Sequence, residues 1–375
     1  MDFAPTEQQQ DLTELTRRIA TGRVAAERPH EAESEHFDRA LWADLAKAGV
    51  LAAALPDSLG GAGCGPLEQC SVLVELGRAV APVPYLTSLV TAAGALARFG
   101  DEHQRERWAR PAGTGELVLT AAFAEGAEHD PRPPATRADR TGDRWVLAGA
   151  KVAVPAGTVA DAFLVPATTP DGTRVFVVAA ADPGVSVRAQ RVVDGDAEAV
   201  VELADVPLDE DRLLGGADVA GWLADRFALG TCAEQLGVLE RALELTAAHA
   251  RDRVQFDRPI GTFQAVSQRL ADAYVDVEAV RLTTWQAACR AAQDLPCTAE
   301  VAVAKFWAAE AGHRVAHTAV HVHGGTGIDL DHQLHRYFTA AKRREFALGG
   351  ATAQLHRIGA ALAAEETDTS CDEDG

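Results

Sequence analysis

The chain has 375 residues, of which 55 are acidic and 35 are basic, so its formal net charge is −20. This balance argues against nucleic acid as a partner, because a nucleic-acid binder needs a basic face that displaces counterions from phosphates. No apolar run reaches the roughly 18 residues of a membrane-spanning helix, and the N-terminus is polar and acidic. We therefore expect no membrane segment and a cytoplasmic location.

Composition and spacing give three further expectations. The six cysteines are scattered without a C-x-x-C pair, so neither a zinc site nor a disulfide framework is predicted. The histidines at 313, 317, 321 and 323 lie close in sequence but show no H-E-x-x-H pattern, so no metal site is predicted. Residues 365–375 contain six acidic side chains and no basic one, which predicts a disordered, solvated tail.

Residues 1–118 form the first of three segments with different patterns. Their apolar side chains recur at intervals of three and four residues, which is typical of amphipathic helices. The clearest stripes are Leu12, Leu15 and Ile19; Leu41, Leu45 and Ala48; and Val72, Leu73 and Leu76. We predict an N-terminal helical domain over this range.

Residues 119–215 carry short apolar runs, spaced about ten residues apart and bounded by Gly, Pro and Asp. The runs are 145–147, 152–154, 163–165, 175–178 and 200–201. Because no helical stretch separates them, we predict a middle domain of antiparallel strands, arranged as a barrel or a sandwich, and not a doubly wound parallel sheet.

Long helical patterns return over residues 220–364. Their clearest stripes are Leu236, Leu239 and Leu243, and Val301, Ala304 and Ala308. A C-terminal four-helix bundle is the simplest arrangement for this segment. The predicted fold class is therefore α+β, in the order helices, strands, helices.

The C-terminal segment holds two stretches that are more specific than periodicity. The first, residues 253–266, reads RVQFDRPIGTFQAV and joins two helices through a Pro/Gly turn. Arg253 offers a planar fork for a phosphate or pyrophosphate, Phe256 a flat face, and Gln264 both a donor and an acceptor. Taken alone, Arg253 would equally be explained as a surface ion-pair residue.

The second stretch, residues 321–328, reads HVHGGTGI and is followed by His335, Arg336 and Tyr337. Three glycines in four residues allow a backbone to approach a ligand closely and to present amide groups to it. Taken alone, this loop would equally be explained as a tight interhelical turn.

Together the two stretches resemble the C-terminal signatures of the flavin-dependent acyl-CoA dehydrogenase family, R-x-Q-F-x-x-P-I-G-x-F-Q and a G-G-x-G loop followed by an H-R-Y-like stretch. Residues 142–151 (GDRWVLAGAK) and 206–209 (VPLD) also resemble family segments. The resemblance extends over the whole chain and implies the family's fold of helices, a small β domain and helices.

The resemblance implies FAD as the cofactor and an acyl-CoA thioester as the substrate. In the family, the two motifs contact the diphosphate and adenosine portions of the FAD that is held by the neighbouring subunit. By resemblance, the corresponding residues here are Arg253, Gln255, Phe256, His321, Gly324, Gly325 and Gly327. His321 departs from the usual glutamine, although a neutral imidazole also donates one hydrogen bond.

Two family contacts to a subunit's own flavin are missing. Where the family usually carries T-E-P-x-x-G-S-D, residues 124–130 read AEGAEHD and lack the threonine and the Gly-Ser pair. After the lysine that corresponds to Lys151, the family places an aromatic residue and then a Ser or Thr, whereas residues 152–155 read VAVP. A proline offers neither a hydroxyl nor an N–H group.

The catalytic base also departs from the family pattern. The reaction removes a proton from the carbon next to the thioester carbonyl, so a carboxylate must lie within hydrogen-bond reach of that carbon. Many members use a glutamate at the position of Gly349, which has no side chain to take a proton. Others place the base on the first helix of the C-terminal domain, where Phe227 occupies the matching position. The local carboxylates there are Asp225 and, as the stronger candidate, Glu234.

The motifs that serve a neighbour's FAD are thus kept, while those for the chain's own flavin and base are eroded. This pattern favours the accessory subunit of a heteromeric acyl-CoA dehydrogenase, similar to the paired actinobacterial enzymes that act on steroid side-chain CoA thioesters. The expected partner is a second acyl-CoA dehydrogenase subunit. Two alternatives stay open: a homotetrameric enzyme that uses Glu234 as an unusual base, and a catalytically inactive scaffold that binds an acyl-CoA or a partner. The sequence specifies neither the acyl chain nor the electron acceptor, which is an electron-transfer flavoprotein or oxygen.

Overall fold

The computed structural model describes residues 5–24, 37–126, 133–216 and 218–372. Helices extend to Thr114, strands run from Leu119 to Leu214, and helices resume at Val219. No helix in this described part of the chain is long and apolar enough to cross a membrane.

The N-terminal region is helical, as its periodicity predicts. Its helices are α1 (Glu7–Val24), α2 (Arg39–Lys47), α3 (Val50–Ala53), α4 (Pro66–Ala79), α5 (Gly94–Phe99), α6 (Glu102–Gln104) and α7 (Arg110–Thr114). The predicted stripes on α1 and α4 pack into one core with Leu41 and Leu45 of α2, whereas Ala48 is exposed and follows the end of that helix. Arg17 on α1 donates from Nε to Glu75 on α4 over 2.9 Å, and the buried carboxylate thereby fixes the two helices to each other.

The middle region is a single eight-stranded sheet in the order β6-β7-β3-β2-β4-β5-β8, with β1 beside β4. The strands are β1 (Leu119–Ala121), β2 (Arg137–Thr141), β3 (Arg144–Val154), β4 (Ala162–Thr169), β5 (Gly172–Ala179), β6 (Val185–Gln190), β7 (Glu198–Leu208) and β8 (Leu213–Leu214). Side chains alternate between two cores, since Val175 and Val177 face the helices while Phe176 and Val178 face the opposite side.

Three details of the sheet differ from the prediction. Most pairs are antiparallel, but β1 and β2 run parallel to β4, so the sheet is mixed. The runs 145–147 and 152–154 belong to one strand, β3, and not to two. The pattern also missed β2 and β6, because most residues of both strands are exposed and neither has a continuous apolar run.

The C-terminal region is a bundle in which α10 packs against each of the other long helices. Its helices are α8 (Val219–Asp252), α9 (Gln264–Ala292), α10 (Thr298–His323), α11 (Gln333–Phe346) and α12 (Ala351–Asp372). This is one helix more than the predicted four. Because α12 continues to Asp372, residues 365–372 of the predicted disordered tail are helical, and residues 373–375 lie outside the described residues.

Helices α4 and α8 cross at two glycines, where their backbones touch. A Cβ atom at Gly237 would lie 1.9 Å from the carbonyl oxygen of Val74, and one at Gly77 would lie 2.1 Å from that of Glu234. A side chain at either position therefore has no room. The crossing therefore fixes the position of Glu234 relative to α4.

We expect Gly237→Ala to lower the free energy of unfolding by about 1–3 kcal/mol, because a methyl group would force the two helices apart. Denaturant unfolding measures this change. Gly359→Ala on α12 is the matched control, since a Cβ there would meet nothing within 4 Å and alanine favours the helix over glycine. If Gly237→Ala and Gly359→Ala change the free energy of unfolding equally, the close crossing is contradicted.

Candidate functional site

The first C-terminal motif forms a two-residue hairpin at the end of α8. Strand β9 (Val254–Gln255) pairs antiparallel with β10 (Arg258–Pro259). The two residues at the tip, Phe256 and Asp257, have φ angles of 51° and 62°, as a type I′ turn requires. Side chains rarely adopt such angles, and the turn holds the ring of Phe256 87% exposed.

Arg253 stands between α8 and this hairpin. Its backbone N–H donates to His249 O over 2.8 Å, and its carbonyl accepts from Ile260 N over 2.8 Å. The residue itself and Gln255 are exposed. Among the described residues no carboxylate pairs with the guanidinium of Arg253, which argues against the surface ion-pair interpretation.

The second motif forms a tight 3₁₀ turn, Gly324–Ile328, directly after α10. Gly324 has a φ of 64°, which favours glycine. A Cβ at Gly324 or Gly325 would meet nothing within 4 Å, whereas one at Gly327 would stand 3.0 Å from the Cβ of His323. The first two glycines therefore face open space, and the third packs inwards.

The structure brings the two motifs together through histidines that sequence reasoning missed. His249 lies one helical turn before Arg253, and its ring stacks on that of His323 with centroids 4.2 Å apart and an interplanar angle of 22°. We call the surface formed by Arg253, Gln255, Phe256, His321, Gly324, Gly325 and Gly327 the motif surface. The only sequence signal for the stack is the placement of a histidine beside each motif.

Glu234 is not part of this surface. It precedes Arg253 by 19 residues on α8, which is roughly 28 Å along a helix that rises 1.5 Å per residue. Its carboxylate accepts a hydrogen bond from Arg344 Nε over 3.0 Å. Asp225, the weaker candidate, accepts from Thr298 Oγ1 over 2.7 Å and so joins α8 to α10.

Glu234 lines a cavity where the three regions of the chain meet. The space open to water-sized molecules is about 100 Å³. Its apolar wall includes Pro82, Val83, Pro84, Leu86, Pro155, Ala156, Val159, Phe227 and Ala347, and its charged wall includes Asp196, Glu198, Glu234, Arg343 and Arg344. Both Phe227 and Pro155, which the resemblance predicts to replace polar family residues, belong to the wall of this cavity.

Charged side chains close one end of the cavity. We call Asp194, Asp196, Glu198, Glu234, Arg343 and Arg344 the carboxylate–arginine network. Arg343 pairs with Glu198 at the start of β7, and Arg344 Nη1 lies 4.0 Å from Asp194 Oδ2 in addition to its bond with Glu234. The network thus joins the loop before β7 to α8 and α11.

Arg343 and Arg344 pair with carboxylates of this network, and burial raises the pKa values of three of its carboxyl groups. Burial and the carboxylate of Asp194 raise the pKa of Asp196 to about 8, and Arg344 offsets only part of this. Burial also raises the pKa values of Glu198 and Glu234, although Arg343 and Arg344 act in the opposite direction. At neutral pH the network therefore retains a proton on Asp196.

Gly349, which the resemblance predicts to stand at the family's glutamate position, contributes backbone contacts. Its φ is 92°, a conformation that favours glycine. Its carbonyl oxygen accepts from Lys305 Nζ over 3.3 Å and from Gln354 Nε2 over 3.1 Å. Burial lowers the pKa of the fully buried Lys305 to about 8. The turn after α11 is thus held by buried donors and offers no carboxylate.

In the middle domain, Glu125 is engaged within the fold. Its carboxylate pairs with the buried Lys151 and accepts from Thr136 N over 3.0 Å. Burial opposes the charge on Glu125, but the hydrogen bonds from Lys151 and Thr136 outweigh it and lower the pKa of this carboxyl. The rest of the eroded stretch, residues 127–130, lies outside the described residues.

Comparison with known proteins identifies the family. Residues 6–116 match the family model of the acyl-CoA dehydrogenase N-terminal domain, and residues 215–363 match that of the C-terminal domain. Acyl-CoA dehydrogenase FadE27 from Mycobacterium tuberculosis is 52% identical over 373 residues, which cover 97% of this chain and 99% of that protein. The chain belongs to the acyl-CoA dehydrogenase family.

Solved structures of acyl-CoA dehydrogenases agree with the architecture. One chain of the ChsE4-ChsE5 complex from Mycobacterium tuberculosis matches with a TM-score of 0.93 and 52% identity, over 97% of this chain and 99% of that one. A variant of the Tcur3481-Tcur3483 steroid ACAD matches with a TM-score of 0.91 and 40% identity, over 96% and 99%. The predicted fold class and the family resemblance are confirmed, and the family is one of FAD-dependent dehydrogenases.

The residues of the motif surface fit the diphosphate and adenosine portions of FAD. Arg253 supplies a charged fork without a carboxylate partner among the described residues, Phe256 an exposed ring, and Gly324 and Gly325 an open backbone. In the cavity, Pro155 offers no donor to an isoalloxazine ring, and Arg343 and Arg344 are already paired with Glu198 and Glu234.

Asp196→Asn should stabilise the protein increasingly as the pH rises from about 5 to about 8. Between the unfolded carboxyl pKa of about 3.9 and the folded pKa of about 8, the folded chain binds more protons than the unfolded one, so its free energy of unfolding falls with rising pH. Because asparagine stays neutral, the variant does not show this fall in the free energy of unfolding with rising pH.

Melting temperatures of the variant and the natural chain across this pH range measure the effect. Asp139→Asn, at an exposed aspartate, is the control and should show no widening difference. A difference for Asp196→Asn that is independent of pH would contradict a proton held on this carboxyl.

Proposed function

We propose that this chain is the accessory subunit of a heteromeric acyl-CoA dehydrogenase and completes the FAD site of a partner subunit. The partner is a second acyl-CoA dehydrogenase chain that supplies the flavin pocket and the catalytic carboxylate. The observation that carries the proposal is the contrast between the two sites. Six residues of the motif surface are exposed, namely Arg253, Gln255, Phe256, His321, Gly324 and Gly325, whereas the carboxylate–arginine network closes one end of the cavity with its own ion pairs.

In this role the chain's residues bind and orient, and they do not perform the proton transfer. Arg253 would hold the cofactor's diphosphate through its guanidinium fork, with the amides of Gly324 and Gly325 as further donors. The exposed ring of Phe256 would cover the adenosine portion and exclude water. FAD supplies the hydride acceptor for α,β-dehydrogenation of the acyl-CoA.

The absence of a free carboxylate at the family's base positions supports the partner as the source of the base. Gly349 has no side chain, and Phe227 is an apolar wall residue. Glu234 lines the cavity but is bonded to Arg344, so taking up a proton would remove the negative charge of this ion pair. The homotetrameric alternative requires this carboxylate to be released from that ion pair.

The relatives support both the partner and the substrate class. The matching chain of ChsE4-ChsE5 comes from a complex of two named proteins, and Tcur3481-Tcur3483 is a paired steroid ACAD. We propose a steroid side-chain CoA thioester as the substrate of the assembled enzyme. Electron-transfer flavoprotein is the electron acceptor that we would test first.

We expect Arg253→Ala to lower the FAD affinity of the assembled complex at least about tenfold, the effect of losing a charge-assisted hydrogen bond. The experiment coexpresses this chain with a neighbouring dehydrogenase gene and measures FAD content and acyl-CoA turnover. Arg251→Ala, at an exposed arginine two residues away, is the matched control and should retain both. Full activity of the partner alone would sink the proposal.

Glu234→Gln should leave turnover of the complex within about twofold, because the ion pair with Arg344 becomes a neutral hydrogen bond of similar geometry. Flavin absorbance is measured alongside turnover in the same preparation. Loss of turnover with unchanged FAD content would instead support Glu234 as the base of a homo-oligomeric enzyme.

A further inference from the structure

We propose that the stacked histidines His249, His323 and His332 position Arg253 against the glycine loop, and that this arrangement holds only while the rings of His249 and His323 are neutral. The histidines are positioning residues, since none of them belongs to the motif surface itself. The inference rests on the proposed function, in which Arg253 and the glycine loop bind one cofactor together. It assigns an acid-sensitive connection to three histidines, of which only His323 lies within the cofactor motifs.

His323 is the central member of the stack. It is 8% exposed, and its Nδ1 lies 2.9 Å from the carbonyl oxygen of Ala319. Because a carbonyl can only accept, Nδ1 carries the hydrogen and fixes the plane of the ring. The Cβ of the same residue supports Gly327, where an added side chain would approach to 3.0 Å. His323 therefore forms the floor of the glycine loop.

His249 connects this floor to Arg253. Its ring lies 4.2 Å from that of His323 in a nearly parallel stack, and its carbonyl accepts the backbone N–H of Arg253. His249 thus contacts His323 through its side chain and Arg253 through its backbone. A shift of the His249 ring would be transmitted directly to the end of α8.

His332 closes the stack from the third side. Its ring centroid lies 5.4 Å from that of His323, and its Nδ1 accepts the backbone N–H of Leu334 over 3.2 Å at the start of α11. The glycine loop therefore lies between His323, which packs against Gly327, and His332, which caps the start of α11. Elements α8, α10 and α11 all meet at these three rings.

The charges around the stack disfavour protonation. Facing His249 are Asp252 and Arg253 on α8 and His332 before α11, while His323 faces His249, His332 and the carbonyl of Ala319. Asp252 is the negative group beside His249, and Asp329 and Asp331 lie in the loop that leads to His332. Burial, and for His249 also the charge of Arg253, lowers the pKa values of His249 and His323. Stability from neutral stacking is therefore present above the unfolded histidine pKa of about 6.5 and is lost as the pH falls below it.

The test compares His249→Ala, which removes the ring, with His249→Phe, which keeps a flat ring but cannot be protonated. Each variant is coexpressed with the partner dehydrogenase subunit, and FAD retained by the complex is measured at about pH 7.5 and about pH 5.5. The melting temperature of each chain alone is measured over the same range and needs no cofactor. His356→Phe, at an exposed histidine on α12, is the matched control.

We expect the natural complex to lose FAD on acidification. His249→Ala should weaken FAD retention at pH 7.5 by roughly two- to tenfold, the factor that an aromatic pair contributes. His249→Phe should restore retention at pH 7.5 and should abolish most of the acid loss in both FAD retention and melting temperature. His356→Phe should behave as the natural chain.

Two results would overturn the inference. If both His249 variants match the natural chain while Arg253→Ala still loses FAD, the stack does not position the arginine, and the proposed function stands. If acid strengthens FAD retention and His249→Phe removes that gain, the imidazolium contacts the diphosphate directly. If Arg253→Ala retains FAD, the proposed function fails, and the melting profiles of the isolated chains still decide whether neutral rings hold the stack.

Discussion

The backbone contact between α4 and α8 at Gly77 and Gly237 is the constraint on which the rest of the molecule depends. It fixes the 34-residue helix α8 against the N-terminal domain. The middle of that helix carries Glu234 into the cavity, and its C-terminal end carries Arg253 to the surface. Helix α8 separates the cavity from the motif surface by several turns. Residues that line the cavity can therefore be replaced without a change in the geometry of the motif surface.

The carboxylate–arginine network explains how the cavity is closed. Buried charges are costly unless they are paired, so Arg343 pairs with Glu198 and Arg344 with Glu234, while burial raises the pKa of Asp196 and favours its neutral form. Arg343 and Arg344 are adjacent on α11, so one short segment compensates charges from both the middle domain and α8. This contact holds the loop before β7 on the helical bundle at one end of the cavity.

The order of helices and strands was predictable because apolar periodicity is a local signal, and α1, α2, α4 and β3 to β5 carry it clearly. The sequence pattern missed β2 and β6, since exposed strands bury too few side chains to produce an alternation. The parallel pairing of β1 and β2 with β4 depends on contacts between distant segments, and so does the presence of a fifth helix in the bundle. The periodicity within one segment carries no information about such contacts. The acidic composition of residues 365–375 predicts disorder because it considers charge alone, whereas α12 extends to Asp372.

The amino-acid sequence by itself determined the family motifs, the missing glutamate at Gly349 and the proline at Pro155, because each is the identity of a residue at a recognisable position. Only the tertiary structure decided that Glu234 is bonded to Arg344, a residue 110 positions away, and that His249 stacks on His323. These relations arise when helices pack side by side and bring together side chains that are far apart in the chain. A charge or a ring acquires its role from such neighbours, and the linear order of residues does not specify them.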